Sequence, residues 1–147
     1  MEQFAAFVTV LGTGIQVGSI LFFSFVLTPT LFGNLTREEA GRAVRVCFPA
    51  YYATTTAAVA AALMAALSTH RSGMLIMALA SALAAQSYAG LRLLPRMLKA
   101  RAEVLDPESP DESDPAAQEW QRLHTLSMQI NLAALSLGLA ALWFAIR

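Results

Sequence analysis

Residues 46–91 read VCFPAYYATTTAAVAAALMAALSTHRSGMLIMALASALAAQSYAGL, and Arg71 is the one charged residue among them. Two apolar runs, 46–68 and 72–91, flank the short link Thr69-His70-Arg71. A helix of about 20 residues crosses a hydrocarbon core of about 30 Å. Each run therefore predicts one membrane span, and the tight link predicts an antiparallel hairpin. Working outward, no charge occurs from Gln3 to Thr36, with Phe4 to Leu27 as the apolar part. Toward the C-terminus, Leu123 to Ile146 forms a fourth run, interrupted by His124 near its start. The predicted fold class is all-α: an integral membrane four-helix bundle with helices at about 4–27, 46–68, 72–91 and 123–146. All four are apolar around the whole circumference, as helices need to be that face lipid on one side and each other on the rest. The first begins Met1-Glu2 with no basic segment and exceeds the length of a signal-peptide core, so it is predicted to be retained.

Composition agrees. Of 147 residues, 56% are hydrophobic and 14% charged, against about 25% charged in soluble domains. The mean hydropathy is +0.54, and a chain this short cannot hide that much apolar surface in an interior. Ten basic residues balance ten acidic ones, so no net charge points to nucleic acid. One cysteine excludes an internal disulfide framework and a multi-cysteine metal centre.

The loops set the orientation. Arg37, Arg42 and Arg45 lie between the first two spans, and Arg92, Arg96, Lys99, Arg101 and Arg122 between the last two. Only Arg71 and Arg147 lie on the opposite side. Eight against two predicts an inner (plasma) membrane protein with both of these loops cytoplasmic and both termini outside. Thr36 with Glu39 three residues later forms a capping box. Asp106 to Pro115 holds three prolines and five acids, so a solvated, disordered insert is expected over about 103–117 within a single domain spanning 1–147.

Small residues recur at helical spacing: Gly14 with Gly18, the series Ala53, Ala57, Ala61, Ala65, and the series Ala78, Ala82, Gln86, Gly90. Such stripes let helix backbones approach closely in lipid, either inside the bundle or, for Gly14/Gly18, in a homodimer. Polar residues gather toward one membrane face. His124, Ser127 and Asn131 are spaced i, i+3, i+7 and share one helix face. Gln86, Ser24, Thr54 and Thr55 fall at similar depth, counted at about 1.5 Å per residue. Pro29, Phe48, Pro49, Tyr51 and Tyr52 would stiffen and wall the same mouth. Intramembrane polar groups are costly, so a shared layer is either interhelical glue or a ligand site.

At these residues the sequence resembles a known family. Thr28-Pro-Thr-Leu-Phe32, Arg37 to Gly41, Cys47-Phe-Pro-Ala-Tyr-Tyr52, and Arg122-Leu-His124 with Ser127 and Asn131-Leu132 look like the signatures of the transmembrane protein 205-like family. The resemblance covers nearly the whole chain and implies four spans, with no established biochemical function. It also implies a distant similarity to copper-resistance D-type membrane proteins and to haem-using J-type protoporphyrinogen oxidases. Cys47 and the acidic insert depart from the pattern.

Chemistry narrows the functions. A bis-histidine haem needs two imidazoles at one depth, whereas His70 and His124 are predicted at opposite faces, about 30 Å apart. Met128 shares the His124 face and cannot clamp a ring against it. His70, Met74 and Met77, with Met64 near, are weak candidates for Cu(I), although methionine is common packing material. No intramembrane acid supports a hydrolytic triad, and no nucleotide or zinc-protease motif is present. No catalytic residue is assigned. The reading is a membrane protein with a cytoplasm-facing pocket for a small or lipid-like ligand, formed by His124, Ser127, Asn131, Gln86, Phe48, Pro49, Tyr51, Tyr52 and Pro29. A haem or copper protein, or a packing subunit of a larger membrane complex, stands as the alternative.

Overall fold

Four long helices account for nearly all of the computed structural model, which describes residues 1–104 and 114–146. The stretch 105–113, most of the acidic insert, lies outside the described residues. Helix α1 (Glu2–Leu21) passes through a wide π turn at Phe22–Leu27 into α2 (Thr28–Asn34). Helix α3 runs Arg37–Ser68. Helix α4 (Gly73–Tyr88) passes through a second π turn at Ala89–Leu93 into α5 (Leu94–Glu103), and α6 covers Pro115–Ala145. All four continuous helices, 31 to 33 residues each, are long and apolar enough to cross a membrane.

The helices outrun the apolar segments that announce them. At about 1.5 Å per residue they are nearly 50 Å long against a hydrocarbon core of about 30 Å. The surplus turns are polar and local interactions hold them. Thr36 and Glu39 close the expected capping box, and Arg42 pairs with Glu38 at 3.1 Å. Asp114 caps α6 by accepting a hydrogen bond from the Ala116 amide at 2.9 Å, and Val104 is buried. Glu103 is the last residue of α5, and Pro115 is the first of α6.

The spans pack in a ring: α1 against α3, α3 against α4, α4 against α6, and α6 against α1. The expected hairpin is present, turning at His70 with φ of 50° and capped by Ser72. Arg71 donates to the Ala145 carbonyl at 2.6 Å, placing a cation on the last turn of α6. Thr9, Thr13 and Gln16 bring polar groups into the middle of the bundle. The two threonines return their hydroxyls to backbone carbonyls, and the Gln16 amide donates to Ala134 at 3.3 Å.

The small-residue stripes divide. Ala78, Ala82 and Gln86 are buried at the seam, as expected. Gly14 and Gly18 face outward with open space where a Cβ would stand. Ala53, Ala57 and Ala61 are also exposed, and the buried face of α3 is Thr55, Val59, Ala62 and Ala66. The close approach of α1 to α3 is made by Gly12, whose missing Cβ leaves room for the Ala58 carbonyl.

Candidate functional site

Both π turns precede a proline, and the reason is local. Proline has no N–H, and its ring collides with the carbonyl four residues back. The residue before each proline donates five residues back instead: Thr28 to the Phe23 carbonyl before Pro29, and Leu94 to Ala89 before Pro95. The extra residue in each turn re-aims its neighbours toward one level of the bundle. Phe23 is turned inward, with its ring 5.2 Å from Phe48 and 4.6 Å from Tyr51. Gly90 is set against Tyr52, so close that an added Cβ would stand 2.9 Å from the tyrosine Cβ. π turns of this kind recur at functional sites. Pro29 and Pro95 are the sequence signal for these turns.

Between the turns lies a layer of paired polar groups. The Tyr51 hydroxyl donates to the Asn131 side-chain oxygen at 3.1 Å. The Tyr52 hydroxyl and the Ser127 hydroxyl are 3.3 Å apart. The two tyrosine rings meet edge-on at 4.9 Å. Gln86 is fully buried near Tyr51, and its amide makes no hydrogen bond of good geometry among the described residues. Thr55 returns its hydroxyl to the Tyr51 and Tyr52 carbonyls. The His124–Ser127–Asn131 face thus points into the bundle beside the start of the second apolar run.

Above this layer a groove of about 610 Å³ opens between the polar ends of all four spans. Its depth is walled by Phe23, Phe48, Val44 and Met97, and its inner surface reaches Ser127 and Asn131. At the rim Trp120 stacks on His124 at 5.3 Å, and the Arg101 guanidinium sits 5.0 Å over the Trp120 ring. Arg37 and Arg45 complete the rim from α3.

The sequence-derived residues fall into three groups. His124, Ser127, Asn131 and Phe48 line the groove, as does Ser24. Tyr51 and Tyr52 stand behind that lining as its support, and Gln86 is buried near Tyr51 outside the lining. Pro29 and Pro49 are exposed and outside it, as is Thr54, so the prolines shape the helices without walling the groove. Sequence reasoning missed Phe23 and Trp120, and it gave Arg37, Arg45 and Arg101 no place at the site. The metal candidates do not share an enclosed site. Met64, Met74 and Met77 point outward with about two thirds of their surface exposed, and His70 lies on the exposed turn. No group of three His, Cys, Asp or Glu side chains converges among the described residues.

Ring packing and four apolar helices define a four-span integral membrane protein. The chain belongs to the family described as Domain of unknown function (DUF4149), whose model matches residues 11–105. That stretch includes both π turns, both tyrosines and all three rim arginines, and stops short of α6. No curated protein and no solved structure matches the chain.

Proposed function

We propose that this membrane protein takes a small, lipid-like ligand into the groove at its basic end. Phe23 and Phe48 serve as walls, and His124, Ser127 and Asn131 are the polar contacts. Tyr51 holds Asn131 and Tyr52 holds Ser127 in place from behind, with Gln86 buried near Tyr51. One observation carries the reading: an apolar groove of about 610 Å³ ends on two side chains, Ser127 and Asn131, that are each held from behind by a tyrosine. That size and that combination of apolar walls with a few fixed polar groups suit a ligand site between bundle helices, where volumes of about 300–1,000 Å³ are usual. The eight-to-two distribution of Lys and Arg supports a cytoplasmic mouth. The likeness to the transmembrane protein 205-like family belongs to this proposal as well, through Thr28–Phe32 and Cys47–Tyr52.

The test is direct. Protein purified in a mild uncharged detergent is expected to give a featureless visible spectrum and to release about one equivalent of lipid on organic extraction. A Soret band, or copper at one equivalent, would replace this reading with the haem or copper alternative.

A further inference from the structure

The ligand reading leaves the head group open, and the rim of the groove bears on it. Arg37, Arg45 and Arg101 come from two different helices to one rim, and no Asp or Glu is among the groove's described lining residues. The acids nearest in sequence on α3 are already engaged. Glu38 pairs with Arg42, and Glu39 is held by the Thr36 amide and hydroxyl. Of the basic residues beyond the rim, Arg96 and Arg122 pair with Glu119 and Lys99 with Glu103, while Arg92 has no ion pair among the described residues. None of the described ion pairs includes Arg37 or Arg45. Arg37 also occupies the first position of a 32-residue helix, where the positive end of the helix dipole disfavours a cation and favours an anion. Guanidinium groups suit planar or tetrahedral oxyanions because they donate two hydrogen bonds in parallel.

Below this rim, the space between Phe23, Phe48, Val44 and Met97 offers apolar surface and no further charge. A wider hollow along α6 lacks this character, because it includes Glu119 beside Arg96 and Arg122. We propose that the groove binds an anionic phospholipid of the surrounding bilayer, with its phosphate at Arg37, Arg45 and Arg101 and an acyl chain between Phe23, Phe48 and Met97. This rests on the ligand reading above and names the chemical class of the ligand.

Trp120 on the rim is the built-in reporter. The second of the two tryptophans, Trp143, is removed by Trp143→Phe. The full chain in uncharged detergent is titrated with phosphatidylglycerol brominated in its acyl chains, and separately with equally brominated phosphatidylcholine. Quenching by phosphatidylglycerol is expected to saturate near one lipid per protein, at a concentration about tenfold lower than for phosphatidylcholine, the scale of one charge-assisted hydrogen bond. Arg37→Gln with Arg45→Gln is expected to erase the difference. Arg92→Gln with Lys99→Gln, which removes the same charge outside the groove, is expected to keep it.

Saturation by both lipids at the same concentration would overturn the anionic head group and leave the lipid-like ligand standing. Quenching that never saturates with either lipid would overturn both. Glycerol 3-phosphate that displaces the brominated lipid as effectively as intact phosphatidylglycerol would assign the rim to a free phosphate and overturn the membrane lipid.

Discussion

Gln86 is buried to 0% exposure, and its amide makes no hydrogen bond of good geometry among the described residues. A buried polar group without a partner costs about 1–3 kcal/mol, so such a residue weakens the ligand-free bundle. Gln86→Met is accordingly expected to raise the unfolding free energy of ligand-free protein by about 1 kcal/mol, measured by reversible unfolding in mixed micelles. A loss of stability of that size would show that the amide is satisfied in the membrane. The glycines separate just as sharply. Gly90→Ala drives a Cβ to 2.9 Å from that of Tyr52, and overpacking of this kind costs about 1–3 kcal/mol. Gly18→Ala meets open space and is expected to be neutral or to gain up to about 1 kcal/mol from helix propensity. The same unfolding assay distinguishes them, and equal effects would contradict the packing described.

At the scale of elements, the π turns are the devices that gather the site. If Pro95 causes the second one, Pro95→Ala lets the turn rewind to α-helix and rotates α5 by about 100°, the angle of one residue. Met97 then leaves the cluster it shares with Leu123. A disulfide between Met97→Cys and Leu123→Cys, in a Cys47→Ser background, is expected to form readily with Pro95 and poorly with Pro95→Ala. Unchanged cross-linking would assign the turn to the contact of Gly90 with Tyr52 instead. Elements also mark where the sequence was legible. Charge-free length alone placed all four spans, and spacing alone put His124, Ser127 and Asn131 on one helix face. The burial of α3 was not legible, because a helix apolar on every side has no polar face to mark its outside. Ala53, Ala57 and Ala61 therefore looked as fit for the seam as Thr55, Val59 and Ala62. The helix ends were displaced for the opposite reason. Polar turns such as Arg37–Arg45 end an apolar run without ending a helix, so the groove they form was invisible to hydropathy.

The whole molecule is asymmetric end to end. The groove opens among the polar extensions that carry eight of the ten basic residues, which predicts that this end faces the cytoplasm. In a Cys47→Ser background, Leu35→Cys at the groove end and Ser68→Cys at the hairpin end should label from opposite sides. Labelling of Leu35→Cys by an impermeant reagent in intact cells would reverse the orientation. The central claim is that the tyrosine-backed layer serves a ligand more than it holds the bundle together. Tyr51→Phe with Asn131→Leu removes both partners of one hydrogen bond, leaving neither unsatisfied, which is close to neutral for stability. Interhelical hydrogen bonds in membranes are themselves worth only about 0.6 kcal/mol on average. The most direct measurement is therefore bound lipid and unfolding free energy on the same preparation of this double variant. Bound lipid is expected to be lost while stability changes by less than about 1 kcal/mol. Retention of the lipid, or lipid and stability falling in proportion, would contradict it.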